Sequence, residues 1–317
     1  MHGDRVDVHH HLFPPPFVAQ LVDHEHYLSR GVARHWTPRA SIEDMDAAGI
    51  ATAFTSITAP GLAFTARERM FAVNRECNEF GARMMADHGE RFGLFASLPL
   101  PDVESSLGEI EYALDTLRAD GIGLLTSYAG RWLGDGAFAP VMDELNRRRA
   151  VVYVHPTVAD CCRNLLPGIA DWVLEFPVDT TRTIASLLFG GTLTRCPDIR
   201  FIFAHVGGIL PLVVEHLERA AQVDPTLTAM APDGVRTHLR RLHYDTALRM
   251  HAVGISSALG FADASQLLLG TDAPLRKSAD QLAELHALGL PDEVLAKIES
   301  QNARRLLGRY RSFTRKS

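Results

Sequence analysis

Short apolar runs and helical patterns alternate about eight times along this chain, with no shift in composition that would mark a linker. The runs cover residues 6–11, 50–57, 92–98, 121–126, 150–155, 199–205, 242–246 and 266–272. They are rich in β-branched and aromatic residues, and proline or glycine closes most of them. The run at 242–246 is the least convincing of the set. Strands that are apolar on both faces suit a parallel sheet covered by helices. The intervening segments supply those helices. In the segment 105–118, for example, Leu107, Ile110, Leu114 and Leu117 recur at helical spacing. Eight such units in 317 residues predict one α/β domain over residues 1–317, a (β/α)8 TIM barrel. That fold typically takes about 250 residues plus insertions. A doubly wound open sheet is the rival, but no GxGxxG follows the first strand.

The first strand is followed by a long segment, residues 12–40, that reads as an irregular insertion and a candidate lid. It holds Phe13, Phe17, Tyr27 and Trp36 among prolines and charges. Ser41-Ile42-Glu43-Asp44 then looks like a helix N-cap with an acidic first turn, and Gly49 like the helix end.

Composition narrows the function classes. A net charge of −6 and a pI near 6.2 leave no electrostatic footprint for nucleic acid. The one basic stretch, residues 304–316, reads as a solvated helix end and tail. No apolar run is long enough to span a bilayer, and no charged segment followed by an apolar one opens the chain. Cys77, Cys161, Cys162 and Cys196 form no CxxC and do not make a disulfide scaffold. A soluble protein of the cytoplasm with reduced thiols is the expectation.

Chemistry gathers at the strand ends. In Val6-Asp7-Val8-His9-His10-His11 the last residues can aim His9 and His11 to one face, with His10 pointing the other way. His155 ends the fifth run, His205 the sixth and Asp272 the eighth. Singly, each has a plain structural reading: a hydrogen-bonded core histidine, or a helix cap for Asp272. In a barrel, however, strand C-termini converge on one face, so these five groups meet in one cup.

The segments that carry these groups resemble the amidohydrolase superfamily. They are His9-His10-His11, Val154-His155-Pro156, Ala204-His205-Val206-Gly207-Gly208 and Gly270-Thr271-Asp272. The likeness is strongest to the branch of aminocarboxymuconate-semialdehyde decarboxylase-like enzymes, and it extends to Gln301-Asn302-Ala303-Arg304-Arg305-Leu306. The resemblance implies that His9, His11, His155 and Asp272 ligate one divalent metal with His205 beside it. The fourth strand ends in Thr126-Ser127-Tyr128, without a lysine that could bridge two metals, which argues for a single ion. Three imidazoles and a carboxylate suit Zn²⁺. Relatives that use Mn²⁺ can carry an acid where His9 stands, which favours zinc and leaves manganese open.

The implied activity is non-oxidative decarboxylation of an aromatic acid, with Asp272 as proton donor and His205 as general base or polarising group. The segments 36–61 and 126–135 resemble 6-methylsalicylate decarboxylases, so an ortho-hydroxy aromatic carboxylic acid is the expected small-molecule partner. The same cup could instead hydrolyse a lactone or amide, and a barrel without activity would serve as an interaction protein. Arg182 is a candidate for binding a substrate carboxylate, with a structural ion pair as the alternative. Phe13, Trp36 and Tyr128 are candidates for walling an aromatic ring, with core packing as theirs. Relatives in the branch are often homodimers, and a dimer is expected here.

Overall fold

The computed structural model describes residues 3–21, 29–248 and 252–308. Tyr27 of the expected lid and residues 309–316 of the basic tail lie outside the described residues.

Eight parallel strands run in sequence order around one sheet. They are β1 Arg5–His11, β2 Ile50–Ser56, β3 Phe92–Ser97, β4 Gly121–Leu125, β5 Val151–His155, β6 Arg200–Phe203, β7 His243–Asp245 and β8 Leu267–Leu268. The chain beyond β8 closes the ring on β1. Val8 N donates to Leu269 O at 2.9 Å, Asp272 N to His9 O at 2.9 Å and His11 N to Ala273 O at 2.7 Å. The expected TIM barrel is therefore the fold, and the weak seventh run is a real strand.

The barrel is filled, not hollow. Phe54, Phe95 and Tyr153 stack across its interior with ring centroids 5.5 and 5.3 Å apart. Val6, Val8, Ile202 and Leu268 pack beside them, and Ala303, Leu306 and Leu307 from the closing helix join the same cluster. Each large side chain buried in this way contributes on the order of 1.5–3 kcal/mol. A second, larger cluster fills the layer between sheet and helices, including Ile110, Leu145, Leu187 and Leu285.

Several local features differ from the sequence reading. The segment after β1 is not irregular throughout: it contains helices at Pro15–Leu21 and Ser29–Ala33. Phe13, Phe17, Leu21 and Ala33 form a satellite core with Leu62, Val73 and Cys77. The next helix begins at Pro38, three residues before the expected cap. Thr37 is its N-cap and accepts from Ala40 N, because proline suits the first helical position, where its missing N–H costs nothing. Ser41 is thus inside the helix and buried. Gly49 does close it, in the left-handed conformation at φ 66. A further helix starts at Trp172 and runs through Pro177 to Phe189. Among the described residues no helix is long and apolar enough to cross a membrane.

Candidate metal centre and active site

A bulge in β1 sets up the site. From Asp7 to His10 is three steps, against two from Ala53 to Thr55 on the paired strand, so β1 carries an extra residue. Strict alternation would put neighbours Val8 and His9 on opposite faces. The bulge turns both inward, where Val8 packs with Tyr153 and the His9 ring lies 5.4 Å from it. Asp7 secures this turn: its Oδ1 accepts from His9 N at 2.9 Å and from Thr271 N at 3.1 Å. His10 points into the helix layer as expected, its Nε2 2.8 Å from Ser41 Oγ.

His9, His11, His155 and Asp272 converge, all buried, with their candidate ligand atoms within 4.8 Å of one another. Asp272 Oδ1 lies 3.1 Å from His9 Nε2 and 3.0 Å from His11 Nε2. The other nitrogen of each ring is already engaged. His9 Nδ1 meets Asp245 Oδ2 at 2.9 Å, His11 Nδ1 the Ser56 carbonyl at 3.3 Å and His155 Nδ1 the Pro156 carbonyl at 2.8 Å. These acceptors hold each ring's Nδ1 proton and turn the Nε2 lone pairs inward. Three imidazole nitrogens and a carboxylate oxygen at one point are a donor set that fits a divalent cation.

The electrostatics agree. Burial lowers the His155 imidazole well below its ordinary value, reinforced by His11 and His9, so it stays neutral. His11 is lowered as well, again chiefly by burial. Burial alone would lower His9 too, but Asp245 and Asp272 outweigh it and raise the ring to about 10. Burial would raise Asp272, yet its contacts with the His11 and His9 rings hold it well below the usual carboxylate range. Two carboxylates that retain a proton on His9 would equally compensate the charge of a cation there.

Backbone conformation at the site is costly. Asp272 has φ 64, and His205 and Val206 have φ 56 and 58. Each costs on the order of 1–3 kcal/mol, and β-branched Val206 is the least suited to it. Such strain persists where surrounding contacts over-determine it. Gly208 has no room for a side chain: a Cβ there would sit 1.9 Å from the Pro177 carbonyl oxygen. Gly270 is equally constrained, because a Cβ would lie 2.9 Å from both His9 Cβ and the Asp245 carboxylate.

Asp245, at the end of β7, was not singled out from sequence. Besides holding His9, it accepts from His205 N and Ala247 N at 3.0 Å each and from the Tyr153 hydroxyl at 3.3 Å. Its only sequence trace was its place after Leu242-His243-Tyr244. The His205 ring is 5.0 Å from that of His9 and 5.8 Å from that of His155.

Above the four donors lies a cavity of about 410 Å³ lined by His155, His205 and Asp272, with Trp172, Phe176 and Arg163 on its walls. A second cavity of about 280 Å³ shares His155, Val158 and Arg163 with it. Tyr128 lines this second space, and its hydroxyl accepts from Leu125 N at 2.7 Å. Phe13 and Trp36 pack against each other at 5.9 Å and line neither cavity. Arg182 also lines neither: it bonds Glu175 at 2.9 Å.

A closed parallel barrel with a His-His-His-Asp cup at its strand ends defines a metal-centre barrel of the hydrolase type. The chain matches the amidohydrolase family over residues 6–309 and belongs to that family. It is 38% identical over 287 residues to the decarboxylase yanB of Aspergillus niger, covering 86% of this chain and 77% of that protein. It is 30% identical to the 6-methylsalicylic acid decarboxylase of Penicillium expansum, across 99% of both chains. Among solved structures, a 2,6-dihydroxybenzoate decarboxylase with bound 2,6-dihydroxybenzoate superposes with a TM-score of 0.84. That pair shares 21% identity, over 97% of this chain and all of the other, a likeness of fold.

Proposed function

We propose that this chain is a metal-dependent, non-oxidative decarboxylase of an ortho-hydroxy aromatic acid of the 6-methylsalicylate type. The observation that carries the proposal is the convergence of four buried donors, two of which, His155 and Asp272, line a cavity walled by Trp172 and Phe176. The decarboxylase names of relatives matched nearly end to end support it. The metal we assign is zinc, on the strength of three imidazoles and one carboxylate. Held by His9, His11, His155 and Asp272, it would polarise the substrate's carboxylate and neighbouring hydroxyl and fix the ring.

The chain's own groups then manage the proton. Asp272 is held as a carboxylate, well below the usual carboxylate range, so the proton it delivers must first be passed to it. His205, on the wall of the same cavity, is assigned that role. Asp272 delivers the proton to the ring carbon that bears the carboxylate. That carbon loses its place in the aromatic system, and the bond to the carboxylate breaks. The electron pair returns to the ring and CO2 departs. Asp245 acts through His9, holding its orientation throughout. Trp172 and Phe176 supply apolar walls that exclude water and stack on a ring.

Free thiols at Cys77, Cys161, Cys162 and Cys196 fit a reducing cytoplasm. A homodimer is part of the proposal, supported by exposed Leu165, Leu166, Ile169, Val173 and Leu174 beside the cavity mouth. Light scattering that finds monomer alone removes it. The reaction is tested by mass spectrometry of product from zinc- or manganese-loaded protein. Salicylate-type acids, 6-methylsalicylate included, and a few lactones make the panel. Loss of CO2 from an ortho-hydroxy acid is expected. Hydration of a lactone with every acid untouched would overturn the decarboxylase and leave a hydrolase.

A further inference from the structure

The site cavity of about 410 Å³ is already of the size that takes a small organic ligand. The adjoining space of about 280 Å³ is additional. It opens beside His155, on the β2 to β5 side of the barrel mouth, and its walls are largely apolar. Ile57, Leu62, Met70, Leu98, Leu100 and Leu125 contribute most of them. They come from four separate parts of the chain: the turns after β2 and β3, the end of β4, and the helix Arg67–His88. Its polar groups include Ser56, Ser97, Ser127 and Tyr128, and at the junction Arg163 faces both spaces and bonds Asp160 at 3.3 Å. An apolar recess that joins a polar, charge-bearing cup suits a ligand with a polar head and an apolar extension.

We infer that this annex is the subsite for an apolar ring substituent larger than methyl, so that the substrate class is an ortho-hydroxy aromatic acid with an alkyl extension. The inference rests on the decarboxylase reading for the reaction, but the annex itself does not. A carboxylate and hydroxyl anchored in the cup fix the ring, and a substituent on the side facing β2 to β5 enters the annex. Each methylene it buries there raises affinity by about fourfold. The junction residues Val158 and Arg163 set where ring ends and extension begins. A ring with only small polar substituents would leave the recess to water, which is poorly held by such walls.

The test uses the metal-loaded protein and the 6-alkylsalicylates from methyl to pentyl. The kcat/KM is expected to rise severalfold with each of the first methylenes and then to level off when the annex is full. Two independent variants, Met70→Trp and Ala63→Phe, narrow the annex from different walls. In each, the ratio of pentyl to methyl kcat/KM is expected to collapse by at least tenfold. A wild-type profile that is flat or falls from methyl to pentyl overturns the inference, as does an unchanged ratio in both variants. Should none of the acids lose CO2, the reaction reading falls and the annex is judged by calorimetry with the matching 3-alkylphenols. Affinity that climbs with chain length in wild type and not in Met70→Trp then upholds it, and chain-independent affinity overturns it.

Discussion

His9 Nδ1 donates a hydrogen bond to Asp245 Oδ2 over 2.9 Å, although the two residues are 236 positions apart in the chain. This bond turns His9 Nε2 toward Asp272 and ties β7 to the bulged end of β1. Orienting partners of this kind typically govern metal affinity by 10- to 100-fold.

Asp245→Asn is therefore expected to weaken metal binding by about 10- to 100-fold while leaving the donor set intact. Chelator competition on the folded variant measures it. Affinity equal to wild type would show that Asp245 serves β7 alone.

His155→Ala removes one of the four donors that converge at the site. Metal content after gel filtration is expected to fall well below one ion per chain, and decarboxylation by about a thousandfold or more. Full turnover at normal metal content would show that the site lies elsewhere.

Stripping the metal with a chelator should abolish turnover and lower the melting temperature. A ligand present at about 100 times its Kd stabilises the folded state by about 2.7 kcal/mol. Returning zinc should restore both. Recovery with manganese and not with zinc would reassign the ion while keeping the four donors.

Burial pushes the His243 imidazole, at the start of β7, down to about 4. Its unfolded value is near 6.5, so between those values the unfolded chain binds the extra proton. Its contribution to stability is thus complete above about pH 6.5 and is lost as the pH falls toward 4, by about 3 kcal/mol in all. Urea unfolding at pH 7 and pH 4.5 should show a smaller drop for His243→Asn than for wild type. Equal drops would refute it.

Much of the barrel could be read from the chain because each strand needs only local information. A run such as Val151-Val152-Tyr153-Val154 is apolar on both faces wherever it is placed, and Pro156 must end it. The cup of His9, His11, His155, His205 and Asp272 was legible for the same reason, since a parallel barrel brings every strand's C-terminal end to one rim. Helix starts were less legible. Thr37-Pro38 and Ser41 both offer a cap, and the choice depended on Ser41 Oγ meeting His10 and Trp36.

The sequence by itself determined the fold through periodicity and strand order, and it gathered five candidate groups at one rim; the choice of four among them as metal donors is what the family resemblance implies. Tertiary structure decided what depends on distance between remote segments. Asp245 acquires its role only when the closed barrel brings the end of β7 within reach of His9 on β1, and a carboxylate in a short, weak strand carries no local mark of that. Likewise Arg182 is turned to Glu175, while Arg163 reaches the cavity. The bulge at Asp7 aims His9 inward against simple alternation, because Thr271 on the closing edge of the barrel holds Asp7 in place. Such contacts close loops of hundreds of residues, so no pattern within a short window can encode them.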